Sequence, residues 1–201
     1  MKIAVLASGS GTNLQAIIDA VATNEIHNCE VAVVISNKES AFALERARKS
    51  GIEALYVNYK EYASREEYDM QIVKLLKERG IELVVLAGYL KWITPYFVES
   101  FKNRILNIHP SLLPSFKGLE GIAQAYNYGV KVTGVTVHFV DETEDGGAVI
   151  LQQPVIIEEN DSQESLAEKI HKVEHILYPR AINLFINGKI KIDGRKVKIE
   201  E

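Results

Sequence analysis

The residues best suited to chemistry in this chain are Asn107 and His109, two positions apart in the segment 105–114. The segment begins as an apolar strand, and Pro110, which lacks an N–H, is expected to close it. Since side chains alternate along a strand, the amide and the imidazole project from one face, at the carboxyl end where ligands bind in open α/β sheets. An amide donates hydrogen bonds to carbonyl oxygens, and an imidazole moves protons near neutral pH. The pair predicts acyl transfer; the alternative is two polar residues satisfied at a strand end.

A second candidate site is the glycine-rich turn 8–13, which follows an apolar strand and precedes a helical pattern. The N–H groups of such a turn and the positive end of the helix attract anions. The dinucleotide pattern G-x-G-x-x-G fails because Leu14 replaces the third glycine, and the segment 36–38 offers no ribose-binding carboxylate. The turn therefore predicts a site for a single phosphate group, with an empty tight turn as the alternative.

An acidic loop, residues 141–147, contains Asp145, which we expect to reach His109. A carboxylate beside an imidazole favours the charged form of the ring. The same Asp-Gly pair is also ordinary turn chemistry, so the spacing alone leaves both interpretations open. His138 is expected to line this site from a strand rather than to act as a second catalyst.

The segment His171–His175 matches H-x-x-E-H, a zinc-hydrolase pattern with two histidines one helical turn apart. A catalytic zinc site needs a third protein ligand, and no downstream carboxylate or histidine has a familiar spacing. A zinc hydrolase is therefore kept as a remote alternative, and the chain is expected to use no metal.

Strand and helix patterns alternate through the first half of the chain, which predicts a right-handed, doubly wound parallel sheet. Strands are expected at 2–7, 31–36, 54–57 and 83–87. A capping box from Ser64 to Glu67 starts a helix at Arg65, and Thr94 with Pro95 starts a short one.

The second half changes character, because Val132–Val140 and Val149–Ile157 are joined by a short loop and must pair antiparallel. Helices are expected near 122–128 and over 162–186, the second with a kink at Pro179. The segment 189–199 is expected to form an edge hairpin that turns at Asp193-Gly194. The expected fold class is α/β: a doubly wound, mostly parallel sheet, Rossmann-like in the N-terminal half, continuing into a mixed sheet.

The length predicts one globular domain, 1–201, with two small domains as the alternative. Within it we expect a phosphate-binding half at 1–104, a catalytic and folate-binding half at 105–187 and a C-terminal hairpin at 188–201. The single cysteine, Cys29, excludes an intramolecular disulfide and favours a reducing compartment. The net charge of −4 comes without a basic stripe, so no nucleic-acid partner is expected. No apolar run has the length of a membrane span. The expectation is a soluble cytoplasmic protein, a monomer or homodimer, that acts on small molecules.

Three groups of residues together resemble the phosphoribosylglycinamide formyltransferases, the folate-dependent enzymes of the third step of purine synthesis. They are the segments 8–15, 107–114 and 132–139, followed by Asp145-Gly146. The resemblance runs in unbroken order over about residues 1–187. The segment 107–114 and Asp145-Gly146 are shared with a wider group of enzymes that use 10-formyltetrahydrofolate, whereas the phosphate turn is more specific to the glycinamide ribonucleotide branch.

The resemblance implies a role for each matching residue. Catalysis would fall to Asn107, His109 and Asp145, and Glu174 would contact ribose hydroxyls without any metal. The ribonucleotide phosphate would be held by Gly11, Thr12 and Asn13. The folate cosubstrate would contact Arg65, Leu90, Lys91, Trp92, Ile93, Asn107, Val140, Asp141, Glu142, Thr143 and Glu144. The family often has arginine where this chain has Lys91, so a contact specific to a guanidinium would be lost.

The implied reaction is a direct transfer through a tetrahedral intermediate. The glycinamide amine attacks the formyl carbon on N10 of the folate, and Asn107 with protonated His109 stabilises the developing oxyanion. His109 also relays the proton that N10 needs to leave, while Asp145 keeps the ring charged and orders a water. The alternatives are a methionyl-tRNA formyltransferase, a formyltetrahydrofolate hydrolase and a non-catalytic folate or nucleotide binding protein.

Overall fold

The computed structural model describes residues 1–200, and its backbone divides into two compact units, Met1–Leu106 and Asn107 onward. Seven strands form one mostly parallel, mixed sheet in the order β3-β2-β1-β4-β5-β6-β7. A separate antiparallel pair, β8 and β9, forms a small second sheet. The expected α/β class with a parallel half and a mixed half is confirmed.

The first unit alternates strands and helices. Its elements are β1 (Lys2–Leu6), α1 (Thr12–Ala22), β2 (Glu30–Ser36), α2 (Phe42–Lys49), β3 (Glu53–Tyr56), a 3-10 turn (Tyr59–Glu61), α3 (Arg65–Glu78), β4 (Leu83–Leu86), α4 (Pro95–Ser100) and the start of β5 (Ile105–His109). β1 pairs in parallel with both β2 and β4, and β2 pairs in parallel with β3. The strand order therefore reverses between β1 and β4, and the carboxyl ends of strands at such a switch point are where doubly wound sheets bind ligands.

The core strands of this unit are buried on both faces, as their continuous apolar sequences require. Every residue of β4 and all of β1 except Lys2 is buried. Helix ends follow their sequence signals: the Thr94 hydroxyl accepts from the Phe97 N–H, and Pro95 occupies the first turn of α4. The capping box is only half formed, because Ser64 accepts from the Glu67 N–H whereas the Glu67 carboxylate accepts from the Ala63 N–H.

The second unit contains the end of β5 and the remaining elements. They are α5 (Gly121–Tyr128), β6 (Val132–Phe139), β7 (Val149–Ile156), α6 (Gln163–Ile186), β8 (Ile190–Asp193) and β9 (Lys196–Ile199). β6 and β7 pair antiparallel, as expected from their short connection. The alternation along β6 does not separate buried from exposed positions, because Thr133 to Phe139 are all buried.

The C-terminal hairpin differs from the prediction in two details. The C-terminal hairpin is a separate two-stranded sheet and not an edge of the main one. Its last pair, Asp193 with Lys196, places Gly194 and Arg195 in the turn, one residue later than expected. Across residues 1–200, none of the helices combines the length and apolarity that a bilayer crossing requires.

Candidate active site

Strand β5 presents Asn107 and His109 as the alternation of side chains requires. The strand ends at His109, before Pro110. His109 is almost fully buried and Asn107 is half-buried, so both polar groups lie in a low-dielectric environment where an unpaired polar atom is costly. The hydrogen-bond partners of Asn107 and His109 therefore determine which of their N–H groups can act on a substrate.

Asp145 lies beside the His109 ring. Its Oδ2 atom is 3.4 Å from His109 Nδ1 and accepts a hydrogen bond of 2.8 Å from the Gly118 N–H. Its Oδ1 atom is 3.7 Å from His138 Nε2. The carboxylate side chain is 13% exposed, so solvent screens these charges only weakly. The structure thus brings together the three side chains expected to act in catalysis, all within the second unit.

The second nitrogen of His109 also has a partner, which the sequence did not indicate. Nε2 lies 2.7 Å from the carbonyl oxygen of Phe116. A carbonyl oxygen and an ionised carboxylate only accept hydrogen bonds, so the ring can donate to both neighbours only as the imidazolium. The Phe116 carbonyl therefore lies in the donor direction of Nε2.

His138 controls the orientation of the Asn107 amide. Burial lowers the pKa of His138, more than the Phe139 carbonyl and the Asp145 charge raise it, and the ring is neutral at pH 7. Its Nδ1 lies 2.8 Å from the Phe139 carbonyl, which can only accept, so the single proton is on Nδ1. Nε2 is then an acceptor, and the Asn107 amide nitrogen donates to it across 3.3 Å. His138 is a positioning residue, a role that strand alternation could suggest but not assign.

The loop after His109 is anchored to strands β6 and β7 by buried hydrogen bonds. Thr136 Oγ1 donates to the Ser111 carbonyl and accepts from the Leu113 N–H. Gln152 Nε2 donates to the Leu113 carbonyl and to Thr136 Oγ1. Because Thr136 shares the face of His138 on β6, one strand positions both the loop and the amide partner.

In the first unit, residues of helix α2 donate hydrogen bonds to carbonyl groups of the glycine-rich turn. Gly11 is the N-cap of α1, with φ 70°, a conformation that favours glycine. The Ala43 N–H donates to the Gly9 carbonyl. Arg46 Nε donates to the Ser10 carbonyl and its Nη1 donates to Gln15. The turn therefore combines a helix N-terminus with a guanidinium held beside it, a combination suited to an anion.

The segment that follows β4 carries Leu90, Lys91, Trp92 and Ile93 at the surface. The side chains of Leu90 and Trp92 are about half exposed, at 54% and 51%. The Lys91 ammonium lies 3.6 Å from the centre of the Tyr59 ring. Exposed apolar side chains that flank a fixed backbone suit a flat, partly aromatic ligand.

The other expected folate residues lie at the surface. Arg65 is exposed at the first position of α3. In the loop 140–145, Asp141 Oδ1 accepts from the Thr143 N–H and hydroxyl, and the Glu144 carbonyl accepts from Lys117. Val140 is half-buried, while Glu142 to Glu144 are exposed.

Helix α6 buries Glu174 and pairs it with His171. His171 Nδ1 lies 3.0 Å from Glu174 Oε2, and this hydrogen bond raises the pKa of His171. The rings of His171 and His175 stack with their centres 6.5 Å apart. Within residues 1–200, no group of three or more His, Cys, Asp and Glu side chains is arranged to hold a metal ion, so the third ligand that the zinc pattern needs is not supplied there.

The neutral state of His138 gives a testable pH dependence. Because folding lowers its pKa below the ordinary value of about 6.5, the unfolded chain binds more protons, and stability rises with pH. This contribution is fully present above about pH 6.5 and is lost as the pH falls through the folded value. We expect His138→Gln, which does not titrate, to lose less unfolding free energy than the wild type between pH 7 and 5, as measured by urea denaturation. An equal loss in both proteins would contradict a neutral buried ring.

The comparisons with known proteins agree on one protein family. A family model described as formyl transferase matches residues 1–182. The phosphoribosylglycinamide formyltransferase of Escherichia coli (strain K12) is 43% identical over 192 residues, which cover 96% of this chain and 90% of that protein. The trifunctional purine biosynthetic protein adenosine-3 of Chironomus tentans is 44% identical over 96% of this chain, but the chain spans only 14% of its length.

The fold comparison agrees with the sequence comparison. The crystal structure of glycinamide ribonucleotide transformylase 1 from Symbiobacterium toebii superimposes with a TM-score of 0.98 and 48% sequence identity. The match covers 100% of this chain and 94% of that one. At this identity the likeness extends beyond the fold to the family.

Proposed function

The chain belongs to the phosphoribosylglycinamide formyltransferase family of the formyl transferases, and we propose that it transfers the formyl group of 10-formyltetrahydrofolate to the amine of 5-phosphoribosylglycinamide. The observation that carries this proposal is the contact of Asp145 with His109 next to the Asn107 amide. A carboxylate, an imidazole and an amide donor together suit attack of an amine on a formyl carbon.

The oxyanion of the tetrahedral intermediate is stabilised by two donors. Asn107 has two N–H groups, one of which is held by His138, so the other is assigned to the formyl oxygen. The second donor is His109 Nε2. The Phe116 carbonyl oxygen lies 2.7 Å from His109 Nε2. When Nε2 donates to the oxyanion, the formyl oxygen takes the place of this carbonyl. Each such donor contributes about 10²–10³ in kcat in enzymes where it has been removed.

The proton balance follows from the same groups. Attack by the amine forms the new C–N bond, and the nitrogen then carries an extra proton. Collapse of the intermediate breaks the bond from carbon to N10, which leaves as an amine and takes up one proton. His109 relays this proton between the two nitrogens, directly or through a water held by Asp145, whose negative charge lies 3.4 Å from Nδ1. The products are the ribonucleotide with a formyl group on its former amine and tetrahydrofolate, and no covalent enzyme intermediate is needed.

We assign the ribonucleotide contacts by unit. In the first unit, the N–H groups and side chains of Gly11, Thr12 and Asn13 bind the phosphate at the start of α1, where Arg46 adds positive charge. In the second unit, the buried Glu174 carboxylate accepts hydrogen bonds from the ribose hydroxyls, and His171 orients it. This gives the H-x-x-E-H segment a role without a metal.

The folate cosubstrate is assigned to exposed groups of both units. Leu90 to Ile93 contact the pterin in the first unit, and Val140 to Glu144 do so in the second. Arg65 meets the acidic tail, since it is an exposed cation at the start of α3. Lys91 supplies its backbone, because its ammonium lies over the Tyr59 ring.

Gly11→Ala is expected to raise KM for the ribonucleotide at least tenfold, with KM for the folate unchanged. A Cβ at residue 11 would come 2.8 Å from both Cα and Cβ of Ala43, so the turn must shift away from α2. The matched control is Gly51→Ala, because Gly51 has φ 71° but no atom within 4 Å of an added Cβ. Both variants carry the left-handed strain of about 1–2 kcal/mol, and only Gly11→Ala changes the phosphate site. Equal KM values in the two variants would contradict the assignment.

The decisive assay follows folate release from 10-formyltetrahydrofolate with and without glycinamide ribonucleotide. We expect release only when the ribonucleotide is present, together with one formylated ribonucleotide per folate. Release without the ribonucleotide would identify a hydrolase. Release that depends on an initiator tRNA instead would identify a formyltransferase of the tRNA type.

A further inference from the structure

The hydroxyl of Ser8 links the carboxyl ends of three parallel strands. Ser8 follows β1 and is 2% exposed. Its Oγ donates to Asn37 Oδ1, just after β2, across 2.5 Å. The same oxygen accepts from the Leu90 N–H, just after β4, across 2.8 Å. The Ser8 N–H also donates to the Gly88 carbonyl, so residue 8 holds the segment after β4 at two points.

This link lies at the switch point of the doubly wound sheet, between β1 and β4. Ser8 is the first residue of the phosphate turn, and Leu90 is the first residue of the exposed segment 90–93. The far end of that segment is also fixed, because the Thr94 N–H donates to the buried Asp69 carboxylate across 2.6 Å. Any shift of the phosphate turn at residue 8 therefore moves the near end of the segment, while its far end stays in place.

We propose that Ser8 is a positioning residue that couples binding of the ribonucleotide phosphate to binding of the folate. The proposal rests on the proposed function, which places these ligands on the turn 8–13 and the segment 90–93. Fixing one of the two elements with its ligand also fixes the other through the shared hydroxyl. The second ligand then binds to an element that is already ordered, and each ligand raises the affinity for the other by the same factor.

Loss of the hydroxyl breaks this link without changing a group that contacts either ligand. Ser8→Ala leaves two polar groups without their partner, the Leu90 N–H and Asn37 Oδ1. The backbone hydrogen bond from Ser8 to Gly88 remains, so the strands still pair. The expected result is that each ligand still binds alone, but the mutual effect on affinity is lost.

The test is calorimetric titration of glycinamide ribonucleotide into the protein, alone and with saturating tetrahydrofolate, a pair that cannot react because no formyl group is present. In the wild type and in the control Ser40→Ala, tetrahydrofolate is expected to lower Kd about fivefold or more, a typical coupling between two sites. Ser40 is an exposed serine of the first unit that lies outside the turn 8–13 and the segment 90–93. In Ser8→Ala the two Kd values are expected to be equal within error.

A second variant, Asn37→Ala, tests the proposal if Ser8→Ala does not fold. Asn37 is half-buried, and Asn37→Ala removes only the acceptor of the Ser8 hydroxyl, so an intermediate coupling is expected. Wild-type coupling retained in Ser8→Ala or, where that variant does not fold, in Asn37→Ala overturns the role of Ser8. Independent binding of the two ligands to the wild type also overturns it and leaves the proposed function intact. Binding of neither ligand overturns both.

Discussion

His109→Ala is expected to lower kcat by about three orders of magnitude, because the change removes a proton relay and an oxyanion donor at once. Neither polar neighbour can replace the ring as the proton relay: His138 is neutral with its proton committed to Phe139, and Asn107 donates to the oxyanion but cannot transfer a proton. KM for both substrates is expected to change less than kcat, since the ring acts on the formyl group and not on the phosphate or the pterin. The measurement is steady-state folate release at saturating concentrations of both substrates.

The control for this variant is His27→Ala, which removes an exposed histidine from the first unit. It is expected to match the wild type in kcat and in thermal stability. His109→Ala is expected to fold with reduced stability, because the Phe116 carbonyl and the Asp145 carboxylate lose the ring as a partner, and thermal unfolding measures this loss. A kcat within tenfold of the wild type in a folded His109→Ala protein would rule out the ring as the proton relay.

The placement of Asn107 and His109 could be predicted because it depends on local rules. An apolar run followed by proline sets the end of β5, and alternation puts both side chains on one face. The strand–helix alternation of the first half likewise fixed the parallel order of β1 to β4. These features follow from the periodicity of the sequence and from groups that act within a few residues of each other.

The contacts that complete the site could not be predicted in this way, because they are tertiary. Phe116 and Asp145 both have positive φ, 53° and 43°, which is uncommon for residues other than glycine. The Phe116 carbonyl pairs with the His109 ring, 7 residues away, and the Asp145 carboxylate with the Gly118 N–H, 27 residues away. No feature of the local sequence predicts a phenylalanine with positive φ. The contact of the Phe116 carbonyl with His109 Nε2 could therefore not be predicted.

His138 shows a different limit. Its face on β6 could be predicted, but its protonation depends on how completely the strand is buried. Alternation along β6 places residues on two faces but does not show that both faces are buried, as they are from Thr133 to Phe139. Burial turns the ring from a lining residue into a neutral acceptor that orients Asn107. Helix α3 starts at Arg65 behind the Ser64 cap, as predicted, but the second hydrogen bond of the capping box is missing, since the Glu67 carboxylate accepts from the Ala63 N–H instead.

Asp145→Ala is expected to lower kcat by about two to three orders of magnitude, since the Asp145 carboxylate acts through the His109 ring, and proton transfer by such a ring contributes about 10²–10⁴ in rate. The change removes the charge next to His109 Nδ1 and the acceptor of the Gly118 N–H. Asp145→Asn separates these two effects, because an amide oxygen still accepts from Gly118 but carries no charge. We expect both variants to lose kcat, and only Asp145→Ala to raise KM for the folate as well. The measurement is again folate release, with each substrate varied in turn.

The control for the pair is Glu159→Gln, which removes an exposed charge from another part of the second unit and is expected to leave kcat unchanged. A simple loss of net negative charge would affect all three variants alike, whereas the proposed role requires the charge at residue 145. If Asp145→Asn kept wild-type kcat while Asp145→Ala lost it, the carboxylate would act only by holding Gly118. The charge would then have no part in the transfer, and His109 would have to relay the proton without the anion beside it.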